Sequence, residues 1–295
     1  MIIVRLTGGI GNQMFQYAAA RRVSYVNNSQ LKLDLSWFTE SGQWTNRKYE
    51  LGVFNIVGNI ASHLDVAKLK TRKQNPLTRR LPGFLKKIVL HTNQTHIIEK
   101  RFSFDPDILN IKDNVYLDGF WQSEKYFIDI EQIIRNEFTY KSDLTGKNCQ
   151  LSNIIASTES VSVHIRRGDY VTLKQANAFH GLCKPDYYSR AVDIIAKQVV
   201  KPVFFVFSDD IAWTKCNLDI GYETLFIDNN DPDTCYEDIR LMGLCKHHII
   251  ANSSFSWWGA WLSLSPHKIV ISPLAWFKES SQDTRDLIPS TWMRL

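Results

Sequence analysis

Short apolar runs that stop at polar or glycine-rich clusters alternate along this chain with longer stretches whose apolar residues recur at helical spacing. Ile2 to Leu6 is the first run. Thr7-Gly8-Gly9-Ile10-Gly11-Asn12-Gln13 follows it, and Met14 to Val26 then carries Met, Phe, Tyr, Ala and Val in a helical pattern. Leu31-Lys32-Leu33-Asp34-Leu35 alternates as a second strand, so the chain opens βαβ, the building unit of a parallel sheet. Val115-Tyr116-Leu117 predicts a further strand. Ser123 to Phe138 predicts one helix with Tyr126, Phe127, Ile130, Ile133, Ile134 and Phe138 on a single face. The polar stretch Lys141 to Ser152, with Gly146 and Asn148, predicts a linker.

Beyond that stretch the alternation is regular. Strands are predicted at Val161 to Ile165, Val203 to Phe207, Thr224 to Ile227, His248 to Ala251 and Lys268 to Ile271. A helix begins near Pro185-Asp186, another is expected to be capped by Asp231-Pro232, and Asn252-Ser253-Ser254 opens an apolar helix from Phe255 to Leu264. A repeated β-loop-α unit implies an α/β fold with parallel sheets. At 295 residues, against roughly 150 residues per domain, two domains are expected, 1–145 and 146–295, with a cleft between them.

Composition narrows the class. With 44% hydrophobic and 22% charged residues, the chain has the balance of a soluble globular protein, not a disordered or fibrous one. No segment reaches the roughly 18 apolar residues of a membrane span, and Met1 to Gly9 is too short for a signal peptide. Cysteines 149, 183, 216, 235 and 245 are scattered, with no C-x-x-C pair and no Cys/His cluster at zinc spacing. A reducing cytoplasm and no structural metal are therefore expected. His247 and His248 point to opposite faces of a strand and read as packed or surface residues. The net charge of +5 is uneven, because the eight Lys and Arg between Val66 and Ile98 face no acid, leaving 5 − 8 = −3 for the remainder. Residues 66–98 therefore read either as a solvated loop or as a basic segment touching anionic lipid at a membrane surface. No recognition helix, RRM or zinc finger accompanies the charge, which argues against nucleic acid.

Chemistry gathers at three strand ends. Val161-Ser162-Val163-His164-Ile165 delivers Arg166 and Arg167 to its carboxyl end, and two permanently charged planar forks there describe a phosphate site. Ser253 and Ser254 stand where a helix begins, so their hydroxyls and the backbone N–H groups suit the same anion, although Ser253 also fits a simple N-cap. Asp209 or Asp210 offers a carboxylate matching the paired N–H donors of guanine, or else caps the next helix. Together the three argue for a nucleoside diphosphate. Gly9-x-Gly11 after the first strand, with Asp34 ending the second, imitates a dinucleotide fingerprint, but Met14 fills the third glycine position. An NAD-dependent oxidoreductase is thus a rival reading, and a non-catalytic nucleotide binder is another. Asn12 and Gln13 are amides expected to face the cleft from the first domain.

Four of these segments, Gly8-Gly9-Ile10-Gly11-Asn12-Gln13-Met14, His164-Ile165-Arg166-Arg167-Gly168-Asp169-Tyr170, Phe207-Ser208-Asp209-Asp210-x-x-Trp213 and Asn252-Ser253-Ser254-Phe255-Ser256-Trp257-Trp258-Gly259-Ala260-Trp261, closely resemble the α-1,2-fucosyltransferases, especially the bacterial members. That resemblance implies a GT-B architecture of two Rossmann-like lobes. It implies GDP-fucose held mainly by the carboxyl-terminal lobe, and inverting transfer to the 2-hydroxyl of a galactoside. It further implies Arg166 at the β-phosphate with Arg167 and His164 close by, and Asp209/Asp210 at guanine. Ser253, Ser254 and Phe255 would hold the second phosphate and nucleoside, and Asn12 would lie beside donor and acceptor. Gly9 and Gly11 offer a close backbone approach. No metal is then required. Asp169 is the nearest candidate base, or else an ion-pair partner of the arginines. Trp121, Gln122 and Tyr126 are either an acceptor surface or core. The expected setting is a bacterial cytoplasmic enzyme of surface-polysaccharide synthesis, either free or at the inner membrane face. The sequons at Asn27, Asn93 and Asn252 are then chance matches.

Overall fold

The computed structural model describes residues 1–39, 47–70, 95–173, 178–278 and 282–295. Two compact units result, Met1–Thr139 and Tyr140–Leu295. Most of the basic segment, residues 71–94, lies outside the described residues. Among the described residues no helix is long and apolar enough to cross a membrane.

The first unit is built on a five-stranded, all-parallel sheet. Its strands are β1 (Ile2–Arg5), β2 (Leu31–Asp34), β3 (Asn59–Ile60), β4 (His96–Ile98) and β5 (Val115–Asp118), in the order β3-β2-β1-β5-β4. Helix α1 (Ile10–Val26) connects β1 to β2 and is buried along most of its length, with Ala18, Ala19 and Ala20 allowing close approach to the sheet. Its glutamines are buried too, and each is satisfied. Gln16 exchanges bonds with Thr7, accepting from the backbone N–H at 2.9 Å and donating to Oγ1 at 2.8 Å. Gln13 donates to the carbonyls of Gly8 and Lys48 and accepts from the Glu50 N–H. Gln13 is thus a structural tie, not the cleft-facing amide expected from its position. Helix α2 (His63–Lys70) packs its buried Leu69 with Ile3 and Tyr116 of the sheet. The single helix expected over Ser123–Phe138 is instead two 3₁₀ turns, Glu124–Tyr126 and Ile128–Ile130, followed by α3 (Glu131–Glu137). Phe127, at φ −147°, breaks the helical path, while Ser123 caps the first turn by accepting from the Lys125 N–H.

The second unit holds a six-stranded parallel sheet of β6 (Glu159–Ile165), β7 (Pro202–Ser208), β8 (Thr224–Ile227), β9 (His247–Ile249), β10 (Val270–Ser272) and β11 (Met293–Arg294). Their order is β11-β10-β9-β6-β7-β8. Counted from the start of this unit, that is 6-5-4-1-2-3, the doubly wound order whose switch point lies between its first and fourth strands. Val161, Val163, Phe204, Val206 and Ile249 are fully buried, and each such side chain contributes about 1.5–3 kcal/mol relative to exposure. Such runs read as near-continuous apolar strands because parallel sheets are covered on both faces.

Helices α4 (Gly146–Ser157), α5 (Gly168–Thr172), α6 (Pro185–Ala196), α7 (Ile211–Asn217), α8 (Tyr236–Leu244) and α9 (Ser254–Leu262) complete the unit. The expected linker is largely α4. Leu151 and Ile155, four residues apart, are its buried stripe among polar neighbours. Asp231 does not cap α8; it accepts from the Asp233 and Thr234 N–H groups in the turn ahead of it. His247 and His248 are buried, His247 accepting from the Ile269 N–H and His248 bonded to Ser162 Oγ.

Glycine is required where α8 and α9 meet, since a Cβ on Gly259 would stand 2.8 Å from Met242 Cβ. We expect Gly259→Ala to lower stability by about 1–3 kcal/mol, the usual cost of overpacking, read as a lower urea midpoint at unchanged slope.

Candidate active site

The loops after β6 and β9 flank the switch point of the second sheet, and the loop after β7 adjoins them. The first brings Arg166 and Arg167, the third Asp209 and Asp210. Arg166 lies between two carboxylates, with Nη2 2.6 Å from Asp169 Oδ1 and Nη1 2.9 Å from Asp209 Oδ2. The Arg167 backbone N–H donates to Asp209 Oδ1 at 2.8 Å, its Nε to Asp210 Oδ2 at 3.2 Å, and its guanidinium lies 3.4 Å over the Trp213 ring. Asp210 also caps α7, accepting from the Trp213 N–H. Two cations thus share one corner with three carboxylates. Burial works against the Arg166 charge, but Asp209 and Asp169 outweigh it and raise its pKa further. Gly168 makes room for this pairing, because a Cβ there would come within 2.6 Å of Asp209 Oδ2.

His164, one residue before the strand end, is buried beside the Phe255 ring at 5.4 Å. Its Nδ1 has no hydrogen-bond partner among the described residues. Burial pushes it down to about 3, with Asp209 opposing and Arg166 adding to the shift, so it is neutral at pH 7. Ser253 occupies the N-cap of α9, yet its side chain makes no capping bond. Ser254 and Phe255 form the first turn of that helix, where backbone N–H groups point outward and favour an anion.

Sequence reasoning missed how Asn252 organises this corner. Its buried Nδ2 donates to the carbonyls of His180 at 2.9 Å and Trp276 at 3.1 Å, and its backbone carbonyl accepts from Tyr170 Oη at 3.2 Å. Tyr170 in turn stacks on His180 with centroids 4.5 Å apart and 3° between planes, and Arg166 lies 5.4 Å from the same ring. One amide therefore fixes the segment beside Arg166. Nothing in the local pattern marks it, since Asn before a helix start reads as another cap.

In the first unit the switch point falls between β1 and β5. Gly8 adopts φ +71°, Gly9 is the N-cap of α1, and Gly11 is buried inside that helix. Asn12 Oδ1 accepts from Gln122 Nε2 at 2.9 Å. The Arg47 guanidinium, unforeseen from sequence, lies over Gly9, with Nη1 3.6 Å from where a Cβ would stand. Trp121 and Tyr126 are buried against each other, edge to face, and are core, not an acceptor surface. Asp34 is buried and accepts from Tyr116 Oη and the Ser36 N–H, so it does not present itself to a ribose. Among the described residues no group of three His, Cys, Asp or Glu is placed to hold a metal ion.

The sequence profile of glycosyl transferase family 11 matches residues 1–294. The chain belongs to glycosyltransferase family 11. This family 11 glycosyltransferase is 36% identical to an α-1,2-colitosyltransferase of Escherichia coli over 100% of its own length and 99% of the relative. It is 32% identical to the Escherichia coli O-antigen biosynthesis glycosyltransferase WbnK, over 98% and 99% of the two chains. Among solved structures it is similar to the fucosyltransferase NodZ from Bradyrhizobium at 14% identity, a TM-score of 0.50, and 88% and 91% coverage. That likeness supports a GT-B-like fold of two parallel α/β units.

His164 gives the glycosyltransferase a measurable acid sensitivity. Unfolded, it takes up a proton near its ordinary value of 6.5; folded, not until about 3. The unfolded chain binds more protons throughout that window, so stability is lost as pH falls through it. His164→Gln is expected to flatten the fall of the urea midpoint between pH 7 and 4, while His180 and His248 continue to contribute.

Proposed function

We propose that this chain transfers L-fucose from GDP-fucose, with inversion, to the 2-hydroxyl of a β-galactoside, in building a bacterial surface polysaccharide such as O-antigen or capsule. The observation that carries the reading is the guanidinium pair, Arg166 and Arg167, at the switch point of the second sheet. A full-length relative described as an α-1,2-colitosyltransferase supports the linkage class, and NodZ has been solved soaked with GDP-fucose. The second unit is then the donor lobe and the first the acceptor lobe.

As the bond from fucose C1 to the β-phosphate oxygen lengthens, charge collects on the departing GDP. A guanidinium already fixed in place stabilises that charge more than it stabilises the ground state. The amides at the start of α9, with Ser253 and Ser254, take the second phosphate. Asp169 is committed to Arg166, so its role is to orient that cation and not to serve as the base. Asp209 and Asp210 do the same for both arginines, and keep only their remaining lone pairs for guanine. Asn12 meets the acceptor. The guanidinium pair supplies the neutralisation a divalent cation would otherwise provide, so turnover needs no metal. Work at the inner face of the membrane, with the basic segment touching anionic lipid, fits the same setting.

The 36% relative favours one second reading, GDP-colitose as donor. Colitose is fucose without its 3-hydroxyl. A site that hydrogen-bonds that hydroxyl rejects the deoxy sugar by about 10⁴ or more, whereas a site lacking the contact barely discriminates.

GDP is expected to raise the melting temperature and NAD is not; the reverse result ends the reading in favour of an oxidoreductase. Incubation with either sugar nucleotide and a β-galactoside should release GDP and form an α-1,2-linked product, whereas a mere binder forms none. Arg166→Ala should keep the fold and lose about 10²–10³ in turnover, and EDTA should leave the rate unchanged.

A further inference from the structure

Glu99 is the first residue beyond β4, and its N–H extends the ladder by one bond to the Asp118 carbonyl at 2.9 Å. The side chain then turns over the end of β5. Oε2 accepts from the Phe120 N–H at 2.7 Å and Oε1 from the Trp121 N–H at 3.1 Å. One carboxylate thus fills a nest of two successive backbone donors, a place usually taken by an anionic ligand. Burial pushes Glu99 up to about 7, and those two N–H bonds pull the other way.

The segment it holds has an unusual backbone. A Cβ on Gly119 would stand 2.4 Å from Glu99 Cβ, so only glycine lets the chain pass. Trp121 adopts φ +54°, in the left-handed region that a bulky side chain rarely enters. Its indole is buried, and Nε1 has no partner among the described residues. Such a residue persists only where its surroundings over-determine it. The next residue, Gln122, donates to Asn12 Oδ1. With Oδ1 committed, the Nδ2 edge of Asn12 is turned to the glycine loop, 2.7 Å from where a Cβ on Gly8 would lie.

We infer that Glu99 is a positioning residue for acceptor binding, acting through the backbone of residues 119–122 to set Gln122 against Asn12 and so fix the Asn12 side chain where the acceptor is held. This rests on the reading that Asn12 meets the acceptor.

The test compares Glu99→Ala and the milder Glu99→Gln, which keeps one oxygen acceptor, with the unmodified full chain. In the alanine variant, exchange of the Phe120 and Trp121 amides should quicken at least about tenfold, the loss of one hydrogen bond's worth. The side-chain amide NMR signals of Asn12 and Gln122 should move. The KM for the galactoside should rise about tenfold, with kcat, the KM for the sugar nucleotide and stabilisation by GDP within about twofold. The glutamine variant should recover most of each change. Unaltered exchange and amide signals in a folded alanine variant overturn the proposal, as does a fall in kcat at constant acceptor KM. An unmodified chain that transfers no sugar sinks the functional reading instead, and exchange with the amide signals still decides whether Glu99 sets the pair.

Discussion

Two guanidinium groups and three carboxylates share a partly buried corner at the ends of β6 and β7, and each set offsets the charge of the other. Removing one member leaves a partly buried charge uncompensated, at a cost that solvent reaching these side chains reduces. Much else follows from that constraint. Asp209 ties the backbone of one loop to the guanidinium of the same loop, Asp210 joins Arg167 to the start of α7, and Gly168 stays small so the carboxylate can reach. The loops are held by charge where the sheet itself has ended. On the proposed reading, that is how the two guanidinium groups are kept oriented before an anionic substrate arrives.

The first unit meets the same topological situation with amides between more widely spaced charges. At its switch point stand a glycine turn, an Asn–Gln pair and a backbone held by one carboxylate, with Arg47 over the glycine loop. Amides bind hydroxyls in either polarity without the desolvation cost of full charges. On the proposed reading, charge concentrates where a leaving group would accumulate it, and amides where a sugar would be held.

The strands were legible because parallel strands are written as short apolar runs, and the loops because glycine and paired arginines interrupt them. β6, β7 and β8 lie where the pattern puts them to within two residues. Helix content was harder to read. α4 hides its two-residue apolar stripe among Asn, Gln and Ser, and the run from Ser123 looks helical by spacing although Phe127 breaks it. Within the site, residue identity located Arg166, Arg167, Asp209 and Ser253 at strand ends. It offered the pairing of Asp169 with the arginines as one alternative, but did not reveal that Asp209 and Asp210 are spent on them as well. Asn252, His180, Arg47 and Glu99 act through contacts far apart in sequence, which no local pattern records.

Each sheet ends at one of its two borders in a very short outer strand. β3 and β11 span two residues each, Asn59–Ile60 and Met293–Arg294. An exposed ladder of that length offers a second chain almost nothing to add a strand to, which limits edge-to-edge aggregation. Each sheet thereby has one border, at β3 and at β11, that offers its own copies little to extend, while β4 and β8 form the opposite borders.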